Sequence, residues 1–182
     1  MQQEGSVIPD LKRSRPGLVV DVLAQEGTSD YDERLRSELA ASDVIFSCTP
    51  STEPNFPYSY LTTDDNGNKK QRFISLIGSY KPHMKEIDTD TLLSGGGMVY
   101  VDSKEACLEE SGELIDARIK EDKLVEIGGL FGQLGESGTL AVPDGCNVVL
   151  KCVGMGVMDL VIGKKLLDVG CEMGLGTDVD GF

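Results

Sequence analysis

The chain has 182 residues, enough for one domain with a sizeable core and too few for two domains of ordinary size. Its 17 Lys and Arg stand against 31 Asp and Glu, and the net charge of -14 repels a phosphate backbone or an anionic bilayer, which argues against nucleic acid and membrane as partners. The five cysteines, Cys48, Cys107, Cys146, Cys152 and Cys171, include no CxxC pair, and no basic stretch followed by an apolar run opens the chain, so free thiols in the cytoplasm are expected.

Residues 1–17 are polar, with Pro9, Pro16 and a basic cluster around Lys12 and Arg13, and read as a flexible N-terminal segment. Residues 18–23 read as a strand. Residues 30–41 follow as a helix that Ser29 or Asp30 can cap, with Leu35, Leu39 and Ala40 on one face. The unbroken apolar run 44–48 predicts a strand buried on both faces. Pro50, Pro54 and Pro57 keep a helix from starting early, and the polar insert 62–70, with Asp65-Asn66-Gly67, reads as a surface turn. Strands are then expected at 73–77, 98–101 and 147–153, and helices from 104 to 110 and from 157 to 169, the latter with Leu160, Val161, Lys164 and Leu167 at helical spacing. Strands alternating with helices predict an α/β fold, a parallel sheet joined by crossover helices.

In a doubly wound sheet, ligands gather outside the carboxyl ends of the strands. That places Thr49, Ser51, Gly78 and Ser79, and the turn Cys152-Val153-Gly154, at the edge where a ligand passes. Small residues allow close backbone approach, hydroxyls offer hydrogen bonds, and the helix beginning after Gly154 favours a polar or anionic group at its N-terminus. The plainer alternative is that Thr49-Pro50 and Gly78-Ser79 are only turn chemistry. Cys152 could be a nucleophile only beside a base, and the one histidine, His83, is distant in sequence and lacks neighbours at metal-ligand spacing. Asp102-Ser103 and Glu109-Glu110 either reach a site at the strand's carboxyl end or, the more common case for charges that begin a surface helix, are solvated capping groups. No GxGxxG occurs; Gly154-Met155-Gly156 and Gly174-Leu175-Gly176 lack the third glycine. The acidic fragments 64–67 and 178–181 lack the closing Glu of a calcium loop and read as turns.

Four segments occur together: SDVIFSCTPSTEP at 42–54, IGSYKP at 77–82, VDSKEA at 101–106 and KCVGMGVMD at 151–159. In order and spacing they resemble the ornithine cyclodeaminase/mu-crystallin family over residues 18–170, with wording nearest to its fungal members. The resemblance implies a partial Rossmann-like NAD(P)-binding domain at 18–171 and a tail at 172–182. It implies NAD or NADP as cofactor, held by Thr49, Ser51, Gly78, Ser79, Cys152, Val153 and Gly154, with the last turn against the nicotinamide; the family more often has Ser where Cys152 stands. The activity implied is NAD(P)-dependent chemistry on a small amino acid or cyclic imine, either ornithine to proline with loss of ammonia or ketimine and amino-acid redox. A non-catalytic ligand-binding protein is the alternative. Cyclodeaminases carry an acidic residue where Tyr80 stands, which argues against ammonia loss. Aligned this way, residues 18–23 fall near the family's third strand. The first βαβ unit and the substrate-binding region through which family members homodimerise then lie outside the chain. Two expectations follow: the strand at Val44 has an unpaired edge, and the chain alone binds NAD(H) weakly or not at all and is inactive by itself.

Overall fold

The computed structural model describes residues 15–25, 27, 29–62, 70–133 and 142–177. The chain divides between Ala41 and Ser42 into two units. In the first, helix α1 spans Tyr31–Ala41 and Arg34 pairs with Asp21 at 3.0 Å. Residues 18–23 form no strand, contrary to the sequence expectation. A strand persists only when a neighbour completes its ladder; here none pairs with this run among the described residues, and Val19 is 90% exposed.

Among the described residues, the second unit is built on five strands, all parallel: β1 (Val44–Ser47), β2 (Phe73–Leu76), β3 (Val99–Val101), β4 (Leu124–Glu126) and β5 (Val148–Lys151). Between and after them run α2 (Thr89–Leu93), α3 (Lys104–Glu110), α4 (Gly112–Asp116), α5 (Ile127–Gln133) and α6 (Gly156–Glu172). Asp88 caps α2 by accepting from Thr91 N, and Ser103 caps α3 by accepting from Ala106 N. The strand order β1-β2-β5-β3-β4 makes the sheet Rossmann-like, with the last strand of the chain inserted between β2 and β3. That insertion aligns Ser47 with Leu76, Leu76 with Lys151 and Lys151 with Val101, so four strands end in one row.

β-branched and leucine side chains fill the interior: Ile74, Leu76, Val99, Val101 and Val149 are wholly buried, together with Leu92 of α2 and Cys107 of α3. Each such apolar side chain contributes about 1.5–3 kcal/mol by leaving water.

Two surfaces depart from expectation. β1 is not buried on both faces: Ile45 and Ser47 point inward, whereas Val44 and Phe46 stand 50% and 66% exposed. Among the described residues the strand pairs only with β2, and Phe46 meets the Phe73 ring edge-on at 6.2 Å. Helix α6 has no buried residue, and Leu160, Leu166 and Leu167 are each about two-thirds exposed or more. No helix among the described residues is long and apolar enough to cross a membrane.

Candidate active site

The turns that follow β1, β2 and β5 are held by buried carboxylates. Glu86, fully buried, presents Oε1 to Ser47 Oγ and Thr49 N, both at 2.7 Å, and Oε2 to Gly78 N at 2.7 Å and Ser79 N at 3.3 Å. Both of its oxygens thus act as acceptors, and the residue ties the ends of two strands together. Asn55 Nδ2 donates to Ser47 Oγ at 3.0 Å, completing that hydroxyl. Glu86 is set in place from three directions: Asn55 N donates to its carbonyl, Lys85 N donates to the Ser51 carbonyl, and Glu86 N donates to Glu113 Oε1 at 2.8 Å.

Gly78 could not be another residue in this arrangement. A side chain there would run into the backbone of Thr49, so the glycine is what lets the two turns touch. Beneath them lies a second polar cluster. Lys151 Nζ, wholly buried at the end of β5, donates to the carbonyl and hydroxyl oxygens of Ser79 at 2.5 Å, with Glu113 Oε2 at 3.9 Å. Ser79 Oγ in turn donates to Glu113 Oε1, and Ser111 Oγ donates to Glu113 Oε2.

Asp102, at the end of β3, does for the last turn what Glu86 does for the first two. Its Oδ2 accepts from Gly154 N at 2.8 Å, and its Oδ1 accepts from Ser103 N, from Val153 N and from the Cys107 thiol. Gly154 turns the chain with φ +91 and has open space where a side chain would be. Burial, reinforced by the Asp102 carboxylate, pushes the Cys107 thiol up to about 12 and the Cys152 thiol up to about 11. The upward shift of Cys152 disfavours the thiolate, the form in which a cysteine acts as a nucleophile.

The structure brings Thr49, Gly78 and Ser79 into contact and sets the turn Cys152-Val153-Gly154 beside them, since Cys152 N donates to Leu76 O. Thr49 is exposed, and no described residue hydrogen-bonds its hydroxyl. Ser79 is buried with its hydroxyl engaged by Glu113 and Lys151. Ser51 uses its hydroxyl on Glu53 in a local turn. Tyr80 is exposed, with the Lys81 ammonium 5.4 Å from its ring centroid. Ser103 is the helix cap expected of it, and Asp102 is at the strand's carboxyl end rather than a solvated charge; sequence reasoning offered it that place but not its grip on the last turn, and gave Glu86, Glu113 and Lys151 no role. The fragments 64–67 and 178–181 lie outside the described residues.

No protein-family profile matches the chain. Among curated proteins it is similar to an uncharacterized protein of Saccharomyces cerevisiae, 36% identical over 156 residues, covering 81% of this chain and 42% of the relative. It is also similar to a Delta(1)-pyrroline-2-carboxylate reductase of Bacillus thuringiensis, 30% identical with 78% and 42% covered. The ketimine reductase mu-crystallin of Mus musculus is 31% identical, with 74% and 38% covered. The chain thus spans about two fifths of the length of the relatives it matches. Two solved structures share the fold: the Delta(1)-pyrroline-2-carboxylate reductase of Thermococcus litoralis in complex with NADH and L-proline (TM-score 0.62, 23% identity, 79% of this chain and 42% of that one), and a probable ornithine cyclodeaminase of Bordetella pertussis (TM-score 0.59, 24% identity, 85% and 51%). Its homologues are thus pyrroline-carboxylate reductases and ketimine reductase mu-crystallins, and with its four motifs in order and its parallel sheet the chain is similar to the ornithine cyclodeaminase/mu-crystallin family.

Proposed function

We propose that this chain carries the nicotinamide-facing edge of an NAD(P)-dependent oxidoreductase acting on a small amino acid or cyclic imine. The observation that carries the reading is the row of turns after β1, β2 and β5, drawn together by Glu86 and Asp102 at the carboxyl end of a parallel sheet. The names of the relatives, reductases of pyrroline carboxylate and of ketimines, support the same class of chemistry.

The residues fit one end of the dinucleotide. Backbone N–H groups of Thr49, Gly78, Ser79, Val153 and Gly154 are already given to carboxylates, so this rim offers a phosphate few donors and two buried negative charges. An uncharged ribose and carboxamide ring meet instead the Thr49 hydroxyl, the open face of Gly154 and the neutral Cys152 thiol. Ser51 and Ser79 shape the turns, and Val153 would be among the residues that hold the ring. When bound, the nicotinamide supplies hydride exchange with the substrate's α-carbon. The chain's part is to fix the ring's plane and to keep Cys152 protonated and inert. Tyr80 presents a phenol where ammonia loss would use a carboxylate, which favours imine reduction or amino-acid oxidation over cyclodeamination. Five free cysteines support a reducing, cytoplasmic setting.

With no pyrophosphate-binding glycine turn in the sequence, the chain by itself holds NAD(H) weakly. Calorimetric titration with NADH is expected to give a dissociation constant weaker than micromolar; a micromolar value contradicts the weak hold. The chain alone is expected to be inactive even at high NADH; reduction of a cyclic imine above the protein-free blank would contradict that and favour the redox reading. Ammonia release would favour the cyclodeaminase reading instead.

A further inference from the structure

The geometry points to Glu86 as the positioning residue of this site, an inference that rests on the nicotinamide reading above. Glu86 presents no surface to a ligand; it is wholly buried. Its two oxygens are divided between two turns, Oε1 serving Ser47 and Thr49 and Oε2 serving Gly78 and Ser79. β1 and β2 are already joined by their ladder up to Ser47 and Leu76, but beyond that row no backbone bond links Thr49 to Gly78 among the described residues. The carboxylate takes over where the ladder stops. Because each acceptor oxygen is charged, each bond is about twice as strong as a neutral one and strongly directional, so the relative height of the Thr49 and Gly78 turns is set by one rigid, planar group.

The same group couples the surface to the interior. Glu86 N donates to Glu113, and Glu113 accepts from the Ser79 hydroxyl that also receives Lys151. Ser79 is therefore held twice, at its N–H by Glu86 and at its hydroxyl by Glu113, and the turn carrying Gly78 has little freedom to tilt. A charged residue with no exposed surface and both carboxylate oxygens bonded to backbone N–H groups of the candidate ligand edge is arranged for placement of that edge; an apolar side chain of its volume would fill the core equally well without bridging the turns.

The test uses the 15N-labelled chain, with amide hydrogen exchange and NADH-induced shifts read by NMR in the same samples. In Glu86→Gln the amide nitrogen replaces one acceptor, and the Thr49 and Gly78 amides are expected to exchange about tenfold faster relative to Ile74 and Val101, with NADH-induced shifts at Gly78 and Gly154 falling by about half or more. Ser47→Ala, which removes one donor to Glu86 and leaves the fold less disturbed, is expected to give about a threefold change in the same ratio. Val149→Ala serves as the stability control: it speeds exchange throughout and leaves both the ratio and the NADH shifts unchanged. An unchanged ratio in Glu86→Gln and Ser47→Ala, or wild-type NADH shifts retained in Glu86→Gln, overturns the positioning role alone. A wild-type chain that shows no NADH shift at these turns overturns the nicotinamide reading and the positioning role with it.

Discussion

Lys151 and Ser79 meet wholly out of water: one ammonium donates to both the carbonyl and the hydroxyl of one serine, 72 residues earlier in the chain. The contact exists because the last strand enters the sheet beside β2 rather than at its edge. Its only ionic partner among the described residues, Glu113, lies 3.9 Å away. Lys151→Met should leave Glu113 buried without a countercharge and cost about 3–5 kcal/mol in denaturant unfolding. Lys151→Met with Glu113→Gln should cost about 1–3 kcal/mol less than the sum of the single changes, because the two act as a unit. Additive losses would show that the pair is not coupled.

Gly78→Ala should destabilise the chain by about 1–3 kcal/mol, since the methyl group meets the Thr49 backbone, which cannot step aside as a flexible side chain can. Chemical denaturation measures this directly, and a neutral result would mean that the two turns do not touch in solution.

Alkaline pH should weaken the fold through two thiols. Burial and Asp102 raise Cys107 and Cys152 from an ordinary 9.0 to about 12 and about 11, so in that range the folded chain keeps protons that the unfolded chain has lost. Their contribution is complete below pH 9.0 and declines as pH rises through about 11 for Cys152 and about 12 for Cys107. The urea midpoint should therefore fall across that window, and Cys152→Ser should flatten the fall. An identical slope in the variant would remove Cys152 from the account.

The outer face of β1 and the bare helix α6 should make the chain associate as its concentration rises. Phe46→Lys, or Leu160→Glu with Leu167→Glu, should shift sedimentation toward the monomer. Phe46→Lys should change unfolding stability by no more than about 1 kcal/mol, the worth of the Phe73 edge contact. Association unchanged by either variant would place the sticky surface elsewhere.

Much of the sheet was legible because β-branched runs announce it: Val44-Ile45-Phe46, Phe73-Ile74, Val99-Tyr100-Val101 and Val148-Val149 all fall in strands. The run at 18–23 has the same composition and no strand, because propensity cannot supply a neighbour to pair with. β4 and α2 escaped notice for want of length: three residues ending in Glu126, and five beginning at Thr89, show no period. Of the site, the turns could be placed from the rule that ligands gather at strand carboxyl ends, but the charges that hold them could not. Lys151 did leave a signal: it is two residues on from Val149, and alternation along a strand sends both to the same side. Glu86 and Glu113 left none, since each sits in a loop or a one-turn helix where burial has no rhythm.

The measurement that tests the central claim most directly compares the two halves of the dinucleotide on the same labelled chain. Nicotinamide mononucleotide is expected to shift the amides of Thr49, Gly78 and Gly154, while ADP-ribose leaves them still. Shifts of those amides by ADP-ribose, or by neither compound, would contradict the assignment of this sheet edge to the nicotinamide.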